Sequence, residues 1–352
     1  MPNEMLDNLL KGVDATEINA FVRAIATKDD FELTKSVIPV KTLDTVKWKT
    51  KRTSRRVLPA QFRSWDASTP IAAREFTRIE TEGQLPPLGQ KFIVNELETI
   101  LLHVSRGQDG EELIERLYDD VAAHVLSVHQ RMEIAAGDLL SDGKFTLNGE
   151  NGIVVEVDFQ VPAANRPTAA VPWTDPTADI LRDEMTWIAH LRSIGAPLPT
   201  RVLTSYKAAA LMAGNNSYRN AFYNPQGANI PSAVLAPDQV TAVRARYGLP
   251  PITVYDLQLP TLGGGNARVL PENQYFLLPP DSREWAETQY GITADGLVLS
   301  SGSNPAILRS EAPGIIVTHG YSDDPAQVYT KASAVAMPVM YVPDIYMAAT
   351  VW

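Results

Sequence analysis

Residues 111 to 161 constrain what this chain can fold into more than any other stretch. In the first half, apolar residues stand at Ile114, Leu117, Val121, Val125, Val128, Met132, Ala135 and Leu139. Steps of three and four residues place them on one stripe of an α-helix. Glu111, Glu112, Glu115, Asp119 and Asp120 crowd its start, where the helix macrodipole favours negative charge. Gly143, one residue after Asp142, is the expected stop. About 30 residues rising 1.5 Å each make a rod of about 45 Å, long for a compact domain. The period then changes to two. Phe145 and Leu147 share one face of a strand. After an Asn-Gly-Glu-Asn-Gly turn at 148–152, Ile153, Val155, Val157, Phe159 and Val161 share a face, with Glu156, Asp158 and Gln160 on the other. That alternation predicts a half-buried antiparallel hairpin. Periodicity alone fits any α+β domain with one long helix.

The chain has 352 residues, 45% hydrophobic and 20% charged, enough for one large or two ordinary cores. It contains no cysteine, which excludes disulfides, thiolate metal sites and cysteine nucleophiles. The opening Met1-Pro2-Asn3-Glu4-Met5 lacks the basic-then-apolar pattern of a secretory signal. No apolar run reaches transmembrane length. These features predict a soluble protein made in a cytoplasm. A net charge of −10 makes the surface as a whole a poor partner for nucleic acid.

Within that acidic chain one segment is basic. Lys41, Lys47, Lys49, Lys51, Arg52, Arg55 and Arg56 stand between residues 41 and 56 with Asp44 as the sole acid. Contact with DNA, a clamp on an acidic protein surface and a solvated charge run all fit this pattern. Residues 1–58 read as an arm: a short helix bearing Ile18, Phe21, Val22 and Ile25, then an extended segment over 33–58. Residues 59–95 read as a long two-stranded excursion, with 61–65 and 75–80 able to pair and 91–94 resuming a strand. Gly83, Pro86, Pro87 and Gly89 punctuate its return. It has too few apolar residues for a core, and an isolated hairpin is marginal in water, so it needs a partner surface. Trp48 and Trp65 interleave with Arg52 and Arg63, which suits stacking on single-stranded nucleic acid or burial against another protein.

A Pro- and Ala-rich linker over 162–172 leads to a second region. Asp175 and Pro176 are expected to open a helix through Leu191, ended by Gly195. A strand at 201–204, a helix at 206–213, a loop over 215–231 and a helix from Pro237 to Tyr247 follow. Residues 252–259 alternate as a strand. Gly263, Gly264 and Gly265 form a flexible tip, and 268–270 with 274–278 read as a returning hairpin. From Gly314 onward strands dominate.

No catalytic, metal-binding or cofactor-binding constellation emerges. His103, His124, His129, His190 and His319 show no ligand spacing. The glycine run lacks the Lys-Ser/Thr of a phosphate loop, and no GxSxG elbow occurs. Glu156 and Asp158 share a strand face and read as solvated surface acids rather than a glycosidase pair.

Several short motifs gain meaning from their order. They are Gly143-Lys144-Phe145-Thr146-Leu147-x-Gly149 at the end of the long helix, then Val155-Glu156-Val157-Asp158. Trp173 with Asp175-Pro176-x-x-Asp179-Ile180 comes next, and Leu270-Pro271-x-Asn273 precedes an apolar strand. Together, over roughly residues 40 to 352, they resemble the major capsid protein of tailed bacteriophages of the lambda type. The resemblance implies an α+β chain with the tailed-phage major capsid fold, often called the HK-ninety-seven type. Its parts would be an N-terminal arm (1–58), an extended β-hairpin loop (59–95) and a peripheral domain with a long spine helix and β-sheet (96–165, completed by 326–352). An axial α/β domain (166–325) completes it. The implied function is assembly of pentamers and hexamers into a viral shell around double-stranded DNA, in the host cytoplasm. Lys47, Lys49, Lys51, Arg52, Arg55, Arg56, Trp65, Arg74, Arg78, Gly263, Gly264 and Gly265 are then expected at contacts between subunits. The implied partners are further copies of the chain, a portal protein, a decoration protein and, non-specifically, the packaged DNA, with no membrane and no cofactor. The short stretch before the loop leaves little room for a fused scaffold, so a separate scaffolding protein is implied. Two other readings remain: an encapsulin-type compartment carrying enzyme cargo, and a hydrolase using Glu156, Asp158 or a histidine.

Overall fold

A computed structural model of the chain describes residues 21–22, 28–53, 78–94, 109–150, 152–223, 233–261, 264–280, 282–301, 314–323 and 326–352. Strands β1 (Val40–Thr42), β2 (Lys47–Thr53), β3 (Arg78–Gln84) and β4 (Pro87–Val94) precede helix α1 (Asp109–Asp142). Next come β5 (Lys144–Glu150), β6 (Ile153–Asp158), α2 (Ile180–Ser193), β7 (Arg201–Thr204), α3 (Tyr206–Gly214), α4 (Asn216–Tyr223) and α5 (Pro237–Arg246). Strands β8 (Ile252–Val254), β9 (Gln258–Pro260), β10 (Asn266–Arg268) and β11 (Gln274–Leu278) follow, then a helical turn at Ser282–Trp285 and β12 (Ala286–Tyr290). Helix α6 (Ala294–Ser301) and strands β13 (Ile316–Asp323), β14 (Ala326–Met340) and β15 (Met347–Thr350) close the chain.

The apolar stripe of α1 is a core stripe. Val121, Val125, Val128, Met132, Ala135 and Leu139 are all buried along this 34-residue helix. Gly143 stops it with φ +77°, its N–H donating to the Leu139 carbonyl at 2.9 Å. A side chain there would strain the left-handed backbone and collide with Val161. The hairpin follows as expected, with Phe145 opposite Val157 and Leu147 opposite Val155. Two details differ from the alternation. A register shift between Asn148 and Glu150 carries β5 further into the turn, and β6 stops at Asp158 because Gln160 adopts φ 57°.

The chain divides into two compact units. The first lies within 1–48, 83–136 and 287–339. Its five-stranded sheet runs β1-β12-β14-β13, with β4 also on β14. Strand β14 is antiparallel to β13 and β4, whereas β1 is parallel to β12. Val121 and Val125 of α1 pack with Val22, Val317 and Ala332. Each such valine contributes about 1.5–3 kcal/mol by leaving water. The expected extended run from residue 33 begins differently: Leu33–Val37 coils into one π-helical turn. Coiling lets Phe31, Leu33, Val37 and Ile38 all be buried, which a strand with period two would not allow.

The second unit lies within 49–82, 137–286 and 340–352. Its four-stranded sheet runs β15-β11-β7-β8. Strand β11 is antiparallel to both β7 and β15, and β7 is parallel to β8. Strand β11 is thus an inner strand rather than half of a returning hairpin, while β10 pairs with β9. The core beside the sheet includes Trp173, Trp187, Leu191, Val202, Met212, Tyr275 and Leu277. Trp173 and Trp187 stack at 5.9 Å, and Tyr275 meets the edge of Trp173 at 5.3 Å. Helix α2 starts later than the Asp175-Pro176 signal suggested. Asp179 is its cap, accepting the Arg182 N–H at 3.2 Å, while Asp175 closes a turn by accepting the Thr177 N–H at 2.8 Å. The loop expected over 215–231 contains α4, initiated by Asn215 accepting the Ser217 N–H at 2.8 Å and anchored by the buried Tyr218.

A buried polar knot ties this unit together. Arg244 Nη1 donates to Glu184 Oε1 at 2.5 Å and to the Tyr218 hydroxyl at 2.7 Å. Tyr218 and Tyr275 both donate to the Glu184 carboxylate, Tyr218 at 2.5 Å. Arg244 Nε donates to the Pro250 carbonyl at 2.8 Å. Glu184 is fully buried and Arg244 only 2% exposed. Burial, then the Glu184 charge, push both tyrosine hydroxyls well above their ordinary range.

Candidate functional site

Five of the basic residues singled out above lie on one ladder. Lys47, Lys49, Lys51 and Arg52 lie on β2, and Arg78 lies on its partner β3. Alternation sorts the start of β2: Lys47 and Lys49 are exposed, while Trp48 and Thr50 are buried. Lys49 Nζ lies 2.8 Å from Glu80 on β3. Thr50 donates its hydroxyl to the Thr81 carbonyl at 3.4 Å. Trp48 is 2% exposed and lies against Gly83, where any side chain would meet its indole. Trp48 is thus buried within its own chain and is not a free platform for a base. The excursion also starts earlier than the sequence indicated. Its stem is 47–53 paired with 78–84, so residues 47–53 of the basic segment form a strand of the hairpin. Arg55, Arg56, Trp65, Arg74 and Gly263 lie outside the described residues, as does the 61–65 strand.

Other bases are also matched within the chain. Lys41 meets Glu287 at 2.8 Å, and Lys331 meets Asp295 at 2.8 Å. Lys91 Nζ sits 3.8 Å above the Tyr329 ring. In the second unit, β9 and β10 form a two-stranded ladder closed by the glycine tip. Gly264 and Gly265 take φ +81° and +83°, and the Thr261 N–H donates to the Gly265 carbonyl at 3.1 Å. Only glycine adopts such a pair of positive φ angles without strain.

Among the acids and histidines considered for chemistry, Glu156, Asp158, His124 and His190 have structural partners. Lys144 Nζ sits between Glu156 and Asp158, at 2.7 and 3.5 Å, on an exposed strand face. His190 Nε2 lies 3.1 Å from Asn165 Oδ1. His124 is fully buried, stacked on Phe92 at 4.1 Å, with Nε2 3.1 Å from the Thr330 hydroxyl. Burial holds its imidazole below the usual histidine range. A groove of about 590 Å³ on α2 and α4 is lined by residues including Arg182, Met185, Asn220 and Tyr247. Its Asp179 and Ser217 already serve as cap and helix-start groups. Among the described residues, no three His, Asp or Glu side chains are grouped to hold a metal, and no helix is long and apolar enough to cross a membrane.

Two buried helix acids escaped the sequence reading. Glu184 occupies a core position between Ile180 and Trp187–Ile188, and Glu133 stands among buried Met132, Ala135 and Ala136. The signal was present in both: a lone carboxylate on an apolar helix face requires dedicated donors.

The family model for phage major capsid protein E matches residues 14–351. No curated protein matches the sequence. Among solved structures, the chain is similar to a protein described as a prophage capsid protein of E. coli CFT073. That match has 14% identity and a TM-score of 0.61, and it covers 99% of this chain and 98% of the other. A phage-related protein from Bordetella bronchiseptica RB50 matches with 13% identity and a TM-score of 0.56, covering 95% of each chain. At such identities these two likenesses establish a shared fold.

Proposed function

The chain belongs to the phage major capsid protein E family, and from that premise we propose how its parts divide the work of building a shell. It is a shell-forming capsid protein whose copies assemble with one another. In our reading the unit around α1 and the five-stranded sheet is the peripheral domain, with α1 as its spine. The unit around the four-stranded sheet is the axial domain, and its β9–β10 tip meets other copies at the centre of pentamers and hexamers. The β2–β3 hairpin is the extended loop and lies on a neighbouring copy. The observation that carries this last role is the ladder itself. Among the described residues, β2 and β3 pair with each other and with no third strand. A two-stranded ribbon is marginal in water and gains stability from a surface laid against it.

The basic run then acts as a clamp on an acidic neighbour. Its lysines are partly matched at home, as Lys49 is by Glu80, and exposed pairs of that kind are worth only about 0–1 kcal/mol. They exchange readily for partners on another copy of a chain that carries net −10. The shell is filled with double-stranded DNA, which touches this surface loosely, and a scaffolding protein, a portal and a decoration protein complete assembly in the host cytoplasm. An encapsulin-type compartment on the same fold would purify with enzyme cargo and without nucleic acid.

Two variants test this reading, assayed for shells by light scattering without DNA. Removal of residues 54–77, with Thr53 joined to Arg78 by a short glycine linker, should leave a folded chain that forms no closed shells. Arg55→Glu with Arg56→Glu should weaken assembly of empty shells, and more so at low salt, where charge acts over a longer range. Normal shells from the deletion would refute the loop role. Normal empty shells from the double variant, with only DNA retention impaired, would replace the clamp by DNA contact.

A further inference from the structure

The chain that leads into the basic hairpin is held by a buried acid. Glu133 lies in α1 and is fully buried. Its Oε1 accepts the Leu33 N–H at 2.9 Å, and its Oε2 accepts the Thr34 N–H at 2.9 Å and the Thr34 hydroxyl at 2.7 Å. A buried carboxylate persists only where donors surround it, and hydrogen bonds to a charged acceptor are about twice as strong as neutral ones. Here one turn, Leu33–Val37, supplies three donors. That turn is itself closed by the Ile38 N–H on the Leu33 carbonyl at 2.6 Å.

From this seat the chain runs directly to the hairpin. The Ile38 carbonyl accepts the Thr288 hydroxyl, and the Pro39 carbonyl accepts the Thr288 N–H, both at 2.9 Å. Strand β1 then pairs with β12, Val40 beside Thr288 through Thr42 beside Tyr290. The Leu85 N–H donates to the Val46 carbonyl at 2.9 Å just before β2 begins. Strand β1 cannot set this register unaided. It has three residues, all exposed, and a strand with no buried face specifies its register weakly. Its Lys41–Glu287 pair is half exposed on the lysine side and contributes little. A slip of one residue would move the start of the hairpin by about 3.3 Å and turn its faces over.

We propose that Glu133 is the positioning residue of the shell-building hairpin: by seating the 33–37 turn it fixes the register of β1 on β12 and the point where β2 leaves the unit. This rests on the reading that the hairpin engages a neighbouring copy. The test uses the full chain with Glu133→Gln, and hydrogen exchange together with the yield of closed shells. Glutamine keeps the size but replaces one acceptor oxygen by a donor. Exchange at the Leu33 and Thr34 amides and across β1 should accelerate by roughly tenfold or more, with α1 and β14 unchanged. Closed shells should fall by a similar factor. Thr34→Val, which removes one donor alone, should give a smaller acceleration and add nothing to Glu133→Gln. Val128→Ala, elsewhere on α1, serves as a control that lowers stability with Glu133 and Thr34 both intact, and it should assemble normally.

Unchanged exchange at Leu33 and Thr34 in Glu133→Gln would overturn the proposal. So would equal loss of shells in Val128→Ala at matched stability, or freed amides with undiminished shells. If Glu133→Gln does not fold, Thr34→Val decides alone, and unchanged exchange there overturns the seat. Failure of the hairpin reading is seen separately, in the 54–77 deletion.

Discussion

At the scale of single residues, buried charge sets the largest effects. Arg244 and Glu184 lie out of water, and all three guanidinium nitrogens of Arg244 donate to acceptors. Arg244→Met would leave the Glu184 carboxylate facing two tyrosine hydroxyls alone. Removing one partner of a buried pair costs about 3–5 kcal/mol. Urea unfolding of the variant should show that loss, and Glu184→Gln added to Arg244→Met should recover much of it. His124 makes a second residue-scale prediction. Its Nδ1 has no hydrogen-bond partner among the described residues, so an added proton finds no acceptor there. Its ring faces Thr330 on β14 and Phe92 on β4, with Asp120 the nearby charge on its own helix. His319 on β13 is in register with Thr330. Burial depresses the folded-state pKa, so the unfolded chain takes up the proton first as pH falls. Stability is therefore full above about pH 6.5 and is lost below it, by up to about 1.4 kcal/mol per pH unit. In a melting series from pH 7.5 to 5, His124→Gln should flatten the decline; an unchanged slope would assign the decline to other groups, His129 first.

At the scale of elements, what the sequence reveals depends on how local the cause is. The α1 stripe, its Gly143 stop and the β5–β6 hairpin were legible because 3.6- and 2-residue periods and a single glycine specify them locally. The inner place of β11 and the parallel pair β7–β8 were not, because both depend on strands far apart in sequence. The start of α2 was misread between two equally good caps, Asp175 and Asp179, which local chemistry does not separate. The basic run was legible as charge but not as a ladder, since the Lys49–Glu80 match requires knowing that β2 pairs with β3. The β9–β10 tip carries the element-scale prediction. Rings of five and six copies would present it to neighbours at different angles, and glycine has the backbone freedom to follow. In a density map of a shell, residues 261–266 should differ between five- and six-membered rings more than β7 and β11 do. One invariant tip in every copy would argue against its place at the ring centre.

At the scale of the whole molecule, each unit encloses a core, whereas among the described residues β2 and β3 pair only with each other. In the proposed reading, that ribbon is surface held in reserve for other copies of the chain. Many weak contacts of that kind add up once several copies engage together, because each later contact forms at high effective concentration. In that reading the charge pattern has the same logic: one basic segment in a chain of net −10 would give each copy both halves of an attraction. Negative-stain electron microscopy of the purified protein tests this account most directly. The account predicts closed shells, with five- and six-membered rings where assembly is arrested early. A field of dispersed monomers at every concentration and salt tried would contradict it.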